Sequence, residues 1–433
     1  MPAVVPRECP LVVTPNGPRP TSRDRVSGRP TNVEYSPHVV RAPPNILIVA
    51  GEASGDLHAS ALLRELKARA PGLRAFGMGG SLTQAEGLEA LADARDISVM
   101  GLVEVLPAIP RILGVMNKLA AAARERKPDV AILVDLPDFN LRLAKKLHAL
   151  GIPVAYYVSP TVWAWRKGRL KTIQRYVARM MCIFPFEERF YAENGVQARY
   201  VGNPTLDELG PPLAPEAARK SLGLDPDPTK PVLALLPGSR RGEVTRIFPA
   251  MLQAARLLLR ERPGLRIVVP VAPTLDRELL TSTAAAYSLP LTLVDGRAPD
   301  VVAASDAAVV ASGTAVLEAG LMQRPMVVVY RVSQISFWIA KLLVKVAHVA
   351  IVNLLAGKEI VPELLQADMQ PERIAGELRR LLDDPVARSK QLQGLAEVRT
   401  SLGQPGASAR AADEVLGLLT PTGVEAPTNR AAR

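Results

Sequence analysis

Two carboxylates stand just after a short apolar run, in Val134-Asp135-Leu136-Pro137-Asp138-Phe139-Asn140. Val130 to Val134 reads as a buried strand. Acids at the carboxyl end of such a strand face the crevice where open α/β sheets bind ligands, and a carboxylate there can serve as a general base. One of the two is also expected to cap the following helix, placed at 140–150. Asp138 is nearer the helix start, which leaves Asp135 freer for chemistry.

Two further junctions carry phosphate-binding chemistry. Pro237-Gly238-Ser239-Arg240 lies between the apolar run Val232 to Leu236 and a helix extending to about Arg262. Main-chain N–H groups at a helix start attract anions, glycine permits close approach, and an arginine can grip two phosphate oxygens. The string is neither a P-loop nor a GxGxxG fingerprint, and an ordinary strand–helix turn with surface arginines explains it equally well. Ala311-Ser312-Gly313-Thr314 precedes a second helix. Glu318 lies one turn beyond Thr314, where a carboxylate could accept both hydroxyls of a ribose. Read alone, a capped helix with a solvated glutamate fits this segment better.

Aromatic residues are unevenly spread. Of the 18 in the chain, 11 fall between Phe139 and Tyr200, including Trp163 and Trp165. They suit a packed wall between domains or a surface for a sugar or acyl chain. Asp225-Pro226-Asp227 has the DxD form of some metal–nucleotide sites, but it sits among prolines with no strand before it. Ser336 to Val346 is apolar apart from Lys341 and Lys345. This stripe fits a membrane interface, although a core helix with snorkelling lysines is the simpler reading.

These residues need elements to hold them. The 433-residue chain is 48% hydrophobic and 22% charged, which excludes a largely disordered protein. Two cysteines exclude a disulfide scaffold and suit a reducing cytoplasm, and four histidines without paired spacing give no metal site. Short apolar runs alternate with amphipathic helical stretches twice along the chain, which predicts two Rossmann-like halves with mainly parallel sheets. The expected organisation is a Pro-rich disordered extension over 1–44, an acceptor domain over 45–205, and a hinge over 206–231. A nucleotide domain over 232–384, helices over 385–420 returning to the first domain, and a flexible tail over 421–433 complete it. No signal peptide or spanning helix is read.

The net charge is +11, of which residues 111–180 alone supply 14 basic against 4 acidic side chains. Nucleic acid, an anionic membrane and a phosphorylated substrate all suit such a surface. No nucleic-acid-binding module is evident.

Seven strings in fixed order sharpen this picture: VAGEASGDLH, VMGLVEVL, VDLPDFN, YYVSPTVWAWR, LLPGSRRGEV, ASGTAVLEAG and NLLAGKEIVPELLQ, over about 45–385. Together they resemble the lipid-A-disaccharide synthase family of inverting GT-B glycosyltransferases. The resemblance implies transfer of 2,3-diacylglucosamine from UDP to the 6-hydroxyl of 2,3-diacylglucosamine 1-phosphate, with no metal or other cofactor. It assigns Gly238, Ser239, Arg240, Ser312, Gly313, Thr314, Glu318, Asn353, Gly357, Lys358 and Glu359 to UDP-sugar. It assigns Glu52, Ser54, Gly55, Asp56, Met100, Gly101, Trp163, Trp165 and Arg166 to the acceptor. Asp135, or else Asp138, becomes the base, and Arg240 the stabiliser of the leaving group. Because both substrates carry acyl chains, Phe337, Trp338, Lys341 and Lys345 become membrane contacts. The expected location is the cytoplasmic face of the inner membrane, with no nucleic-acid partner and a homo-oligomer left open. Rival readings are another UDP-sugar GT-B enzyme, with a different lipid acceptor or epimerase activity, and an inactive membrane-binding scaffold.

Overall fold

The computed structural model describes residues 43–94, 102–163, 168–210, 213–332 and 347–419. The extension before residue 43 and the tail after 419 lie outside them.

The first series of strands is β1 (Asn45–Ala50), β2 (Arg74–Gly79), β3 (Leu88–Asp93), β4 (Val130–Val134), β5 (Val154–Tyr157), β6 (Arg179–Cys182) and β7 (Ala198–Tyr200). They form one parallel sheet in the order β3-β2-β1-β4-β5-β6-β7. The intervening helices are α1 (Ala53–Arg69), α2 (Ser81–Ala85), α3 (Leu102–Arg126), α4 (Pro137–Ala149), α5 (Arg169–Tyr176) and α6 (Pro185–Glu193). Parallel strands need such crossovers, and these cover both faces. The alternating residues of β1 show it. Leu47 and Val49 pack with the α3 and α4 side, whereas Ile46 and Ile48 pack with α1.

Two short helices, α7 (Thr205–Leu209) and α8 (Pro215–Ser221), lead to the second series. Its strands are β8 (Val232–Leu236), β9 (Arg266–Val271), β10 (Leu291–Asp295), β11 (Ala307–Ala311), β12 (Met326–Tyr330) and β13 (Glu363–Leu365). They too are all parallel, in the order β10-β9-β8-β11-β12-β13. The helices that accompany them are α9 (Arg241–Glu261), α10 (Arg277–Ala285), α11 (Ala298–Ala304), α12 (Thr314–Leu321) and α13 (Ile351–Ala356). Then come α14 (Pro371–Asp383), α15 (Pro385–Ser401) and α16 (Ala407–Leu419).

The last helix crosses back. Ala411, Ala412 and Val415 of α16 are buried with Ile46 and Ile48 beneath the first sheet. Arg179 on β6 pairs with Glu414 at 2.7 Å, and Arg410 donates to the carbonyl of Val201 at 2.7 Å. The opposite traffic occurs earlier in the chain, where Phe184 and Leu206 join the core beneath the second sheet.

Several elements depart from the sequence reading. The edge strands β3 and β7 of the first sheet, and β2 beside β3, were not anticipated. Arg74-Ala75-Phe76-Gly77-Met78-Gly79 carries two glycines, and β3 carries exposed or half-buried Glu89 and Asp93. Neither has the unbroken apolar run of a central strand. Helix α4 starts at Pro137, not 140, because proline is preset for a first helical turn. No side chain caps it, so the expected capping role of Asp138 is absent.

Gly77 shows how closely the strands depend on one residue. Its φ is +143°, and a β-carbon there would lie 2.0 Å from the carbonyl oxygen of Ile48 on β1. Gly77→Ala must therefore part the β1–β2 pairing and should cost at least about 3 kcal/mol. Gly151→Ala, at φ +74° with open space around it, should cost only about 1 kcal/mol. Thermal unfolding of the two variants measures the difference.

Candidate active site

Each sheet reverses its strand order once, between β1 and β4 in the first and between β8 and β11 in the second. The loops that leave the two strands at such a point diverge to opposite faces and open a crevice. Glu52 follows β1 and Asp135 follows β4. Gly238 to Arg240 follow β8, and Ser312 to Thr314 follow β11. Thus most of the chemistry-bearing residues gather at two switch points.

Asp135 is partly buried and has φ +48°, and Leu136 next to it has φ +49°. Burial pushes the Asp135 carboxyl up to about 6, and the nearby Glu52 carboxylate adds to this. The Leu136 N–H and His58 pull in the other direction. Asp138 is exposed and pairs with Arg169. The two acids therefore occupy different settings, Asp135 partly buried and Asp138 exposed.

Around the first switch point, Ser54 is half-buried and Gly55 buried. Asp56 is turned away. Its carboxylate accepts from the N–H groups of Gly80 (2.8 Å), Leu82 (3.0 Å) and Thr83 (3.1 Å), and from the Thr83 hydroxyl. It serves the start of α2, a use that fully occupies a buried carboxylate. Trp163 donates its indole N–H to Glu187 at 3.1 Å and meets Phe186 edge-on, ring centroids 5.0 Å apart. Burial raises Glu187 to about 7 despite that bond and those from the Ile183 and Phe184 N–H groups. Met100, Gly101, Trp165 and Arg166 lie outside the described residues, as do Phe337, Trp338, Lys341 and Lys345.

On the second sheet, Gly238 has φ +105°, and a β-carbon there would stand 2.7 Å from the Glu243 carboxylate. The Ser239 carbonyl accepts from the Thr274 hydroxyl at 2.7 Å. Arg240 precedes α9 and reaches Glu243 at 3.5 Å, with about half its side chain exposed. A loose, half-exposed pair of this kind leaves a guanidinium available to an anion. Gly313 is extended, Thr314 opens α12, and both are exposed. Burial raises Glu318 above the ordinary carboxylate range, and the Glu208 carboxylate adds to the shift.

His58 joins the two sets. Its Nδ1 lies 2.6 Å from Glu208 Oε1, and it lies within electrostatic reach of both Asp135 and Glu318. The sequence reading missed His58 and Glu208. A signal was present for the histidine, since His58 lies four residues after Ser54 on the same face of α1. Nothing local marks Glu208, whose role depends on where α7 lands.

Four residues expected in the same crevice do not join it. The side chain of Asn353 is fully used: its N–H groups donate to Val361 (2.8 Å) and Glu363 (2.7 Å), and its oxygen accepts from Ile360 (2.8 Å) and Val361 (2.9 Å). Gly357 ends α13 in the left-handed region with φ +65°. Lys358 pairs with Glu397 at 3.3 Å. With Glu359 it lines a cavity of about 490 Å³ against α14 and α15. The reason is topological, because this segment returns the chain to the amino end of β13. There Gln391 binds both main-chain groups of Met326 at the start of β12. The DxD pair is also structural, since Asp225 and Asp227 hold Lys230 and the local turn. Among the described residues, no cluster of His, Cys, Asp or Glu suits a metal ion.

A family model described as lipid-A-disaccharide synthetase matches residues 46–414. The chain is 62% identical over 379 residues to a lipid-A-disaccharide synthase of Myxococcus xanthus, covering 88% of this chain and 98% of that one. It is 59% identical over 386 residues to a synthase of the same name from Anaeromyxobacter dehalogenans, covering 89% and 99%. Among solved structures, the calicheamicin glycosyltransferase CalG4 shares the fold with a TM-score of 0.56 at 18% identity, covering 89% of this chain and all of that one. The two-sheet arrangement is thus the GT-B fold.

The raised proton affinity of Asp135 has a consequence for stability. A carboxyl that titrates near 6 when folded and near 4 when unfolded is a liability at neutral pH. The unfavourable contribution is fully present above about pH 6 and vanishes as pH falls below the unfolded value. Asp135→Asn should stabilise the protein by about 1–3 kcal/mol at pH 7.5 and by almost nothing at pH 4. Urea unfolding at the two pH values reads the difference.

Proposed function

The chain belongs to the lipid-A-disaccharide synthetase family, and from that premise we propose how its crevice carries out the transfer. The donor is UDP-2,3-diacylglucosamine and the acceptor 2,3-diacylglucosamine 1-phosphate. The products are the β-1,6-linked disaccharide 1-phosphate and UDP.

UDP lies against the second sheet. The N–H groups opening α9, with Ser239 and Arg240, meet the diphosphate, and Ser312, Gly313 and Thr314 offer further donors. Glu318 accepts the ribose hydroxyls. The acceptor sugar lies over Glu52, Ser54 and Asp135. Asp135 takes the proton from the 6-hydroxyl as that oxygen attacks the anomeric carbon. The bond from that carbon to the diphosphate breaks on the opposite face, and UDP leaves with the electron pair. Arg240 and the start of α9 stabilise the charge that develops on it.

One observation carries this reading: a partly buried carboxylate with proton affinity raised to about 6, at the switch point of one sheet, with His58 in electrostatic reach of both it and Glu318 of the second half. A base of that strength is ionised at neutral pH yet holds a proton better than an ordinary aspartate. Turnover should therefore fall as pH drops through about 6. UDP should appear only when both lipids are present, which separates this reaction from an epimerase or hydrolase. Asp135→Asn should lose about 10²- to 10⁴-fold in kcat while still binding UDP. Arg240→Ala should weaken UDP binding about tenfold or more. A folded Asp135→Asn protein with normal turnover overturns the base assignment, and unchanged UDP affinity in Arg240→Ala overturns the other.

The acyl chains of both substrates place the reaction at a bilayer surface, and we infer a peripheral position on the cytoplasmic face of the inner membrane. Among the described residues no helix is long and apolar enough to cross a membrane. Support for surface binding comes from α3, where Ile109 and Leu113 are exposed one turn apart with Arg111 between them. Lys145, Lys146, Lys171 and Arg175 add exposed positive charge in the same half of the chain. Vesicles containing anionic lipid should bind the protein at low salt and release most of it near 0.5 M salt, about where screening becomes strong. Failure to bind at low salt overturns the surface assignment.

A further inference from the structure

The main chain at Asp135 is held more firmly than its place in a loop requires. Asp135 and Leu136 are consecutive non-glycine residues in the left-handed region, φ +48° and +49°. L-residues avoid this conformation, and two in succession persist only when neighbours over-determine them.

Three contacts do so. The N–H of Asp135 donates to the Tyr157 carbonyl at 2.9 Å, extending the β4–β5 ladder by one bond. The carbonyl of Asp135 then receives two donors, Asn140 Nδ2 at 2.7 Å and the Tyr156 hydroxyl at 2.5 Å. Asn140 also bonds the Val134 carbonyl at 3.1 Å, so one side chain holds two successive carbonyls.

Neither residue is explained by packing alone. Asn140 is wholly buried, and its Oδ1 finds no partner among the described residues. A buried acceptor left unmade is costly, and an apolar side chain of similar size would avoid the cost. What an apolar side chain cannot supply is the pair of N–H donors. Tyr156 is likewise wholly buried, on the face of β5 that packs with α3 and α4, where phenylalanine would serve the core equally. Its hydroxyl is spent on a carbonyl one strand away.

We propose that Asn140 and Tyr156 are positioning residues for the transfer step, gripping the Asp135 carbonyl from two sides and so aiming its carboxylate at the acceptor hydroxyl. The proposal rests on the reading of Asp135 as the base. It makes the backbone kink a working part: with the carbonyl held, the side chain cannot swing away by rotation of the main chain. A small loss of aim between reacting atoms is enough to slow a proton transfer substantially.

The test uses the full-length enzyme with both lipid substrates. Tyr156→Phe removes its donor, and Asn140→Ser replaces two amide N–H donors by one shorter hydroxyl, neither adding bulk. Each should lower kcat about 10- to 100-fold while both KM values stay within about twofold, a loss confined to the transition state. The acid limb of the pH–rate profile should move to lower pH, because a loosened carboxylate regains water. The double variant should be little worse than the poorer single variant, since both bonds end on one oxygen. A folded Tyr156→Phe enzyme with unchanged kcat overturns the proposal, as does a loss of kcat with an unmoved acid limb. If Tyr156→Phe does not fold, Asn140→Ser decides by the same readouts. Asp135→Asn separates the two ideas. If it keeps normal turnover, the base assignment fails and takes the clamp with it. If it is inactive while the clamp variants turn over normally, the clamp alone fails.

Discussion

A parallel strand cannot be followed by a hairpin, so the chain must leave its end, cross a face of the sheet and return to the far edge. Strands are added to one side of β1 and then to the other, and the crossovers of the two directions therefore cover opposite faces. At the change of side the loops after β1 and β4 part. The same event recurs between β8 and β11. This constraint of connectivity creates two crevices, and the rest of the site is built by filling them. In the proposed reaction, the glycines of the second let a phosphate come close to the main chain, and the carboxylate of the first accepts a hydroxyl proton.

The two crevices gain their relation to each other from the points where the chain crosses between the sheets. Leu206 of α7 enters the core of the second sheet, while α16 returns beneath the first. Asp207 links these crossings by accepting from the N–H groups of Gly406 and Ser408 ahead of and within α16. Beside it Glu208 meets His58, which lies within electrostatic reach of both Asp135 and Glu318. A short connecting helix thus carries one carboxylate that anchors the crossing and one that bridges the crevice.

How far these features could be read from the chain depended on how local their causes are. Central strands such as Ile46 to Ala50 and Val130 to Val134 are buried on both faces, so they appear as unbroken apolar runs. Interior strand β2 is interrupted by two glycines, and edge strands β3 and β7 are mostly exposed or half-buried, so none of the three stood out. Asp135 was legible because its place after an apolar run determines where it emerges. Asp138 was misjudged as a cap because the chain enters α4 through a left-handed Leu136, which no residue type announces. Asn353 carried the amide and spacing of a ligand contact, yet that amide ties a turn to β13. Three of its four bonds go to main-chain groups, and main-chain groups have no signature in the residue sequence.

The clamp on Asp135 belongs to the same class of hidden feature, and it resolves a conflict between two demands on that residue. To be a stronger base than an ordinary aspartate, the carboxylate must lose water, and burial raises its proton affinity to about 6. To meet a substrate, it must remain at an open edge, where water and thermal motion would undo both its affinity and its aim. Burying the side chain fully would satisfy the first demand and defeat the second. The structure instead buries what surrounds it. Asn140 and Tyr156 are wholly enclosed, and they act on the main chain rather than on the carboxylate. The reactive oxygens stay unbonded by the clamp, while the atoms that set their direction are held from inside the core. Rigidity is thus supplied from the protein interior and reactivity from the crevice, through a single carbonyl group that belongs to both.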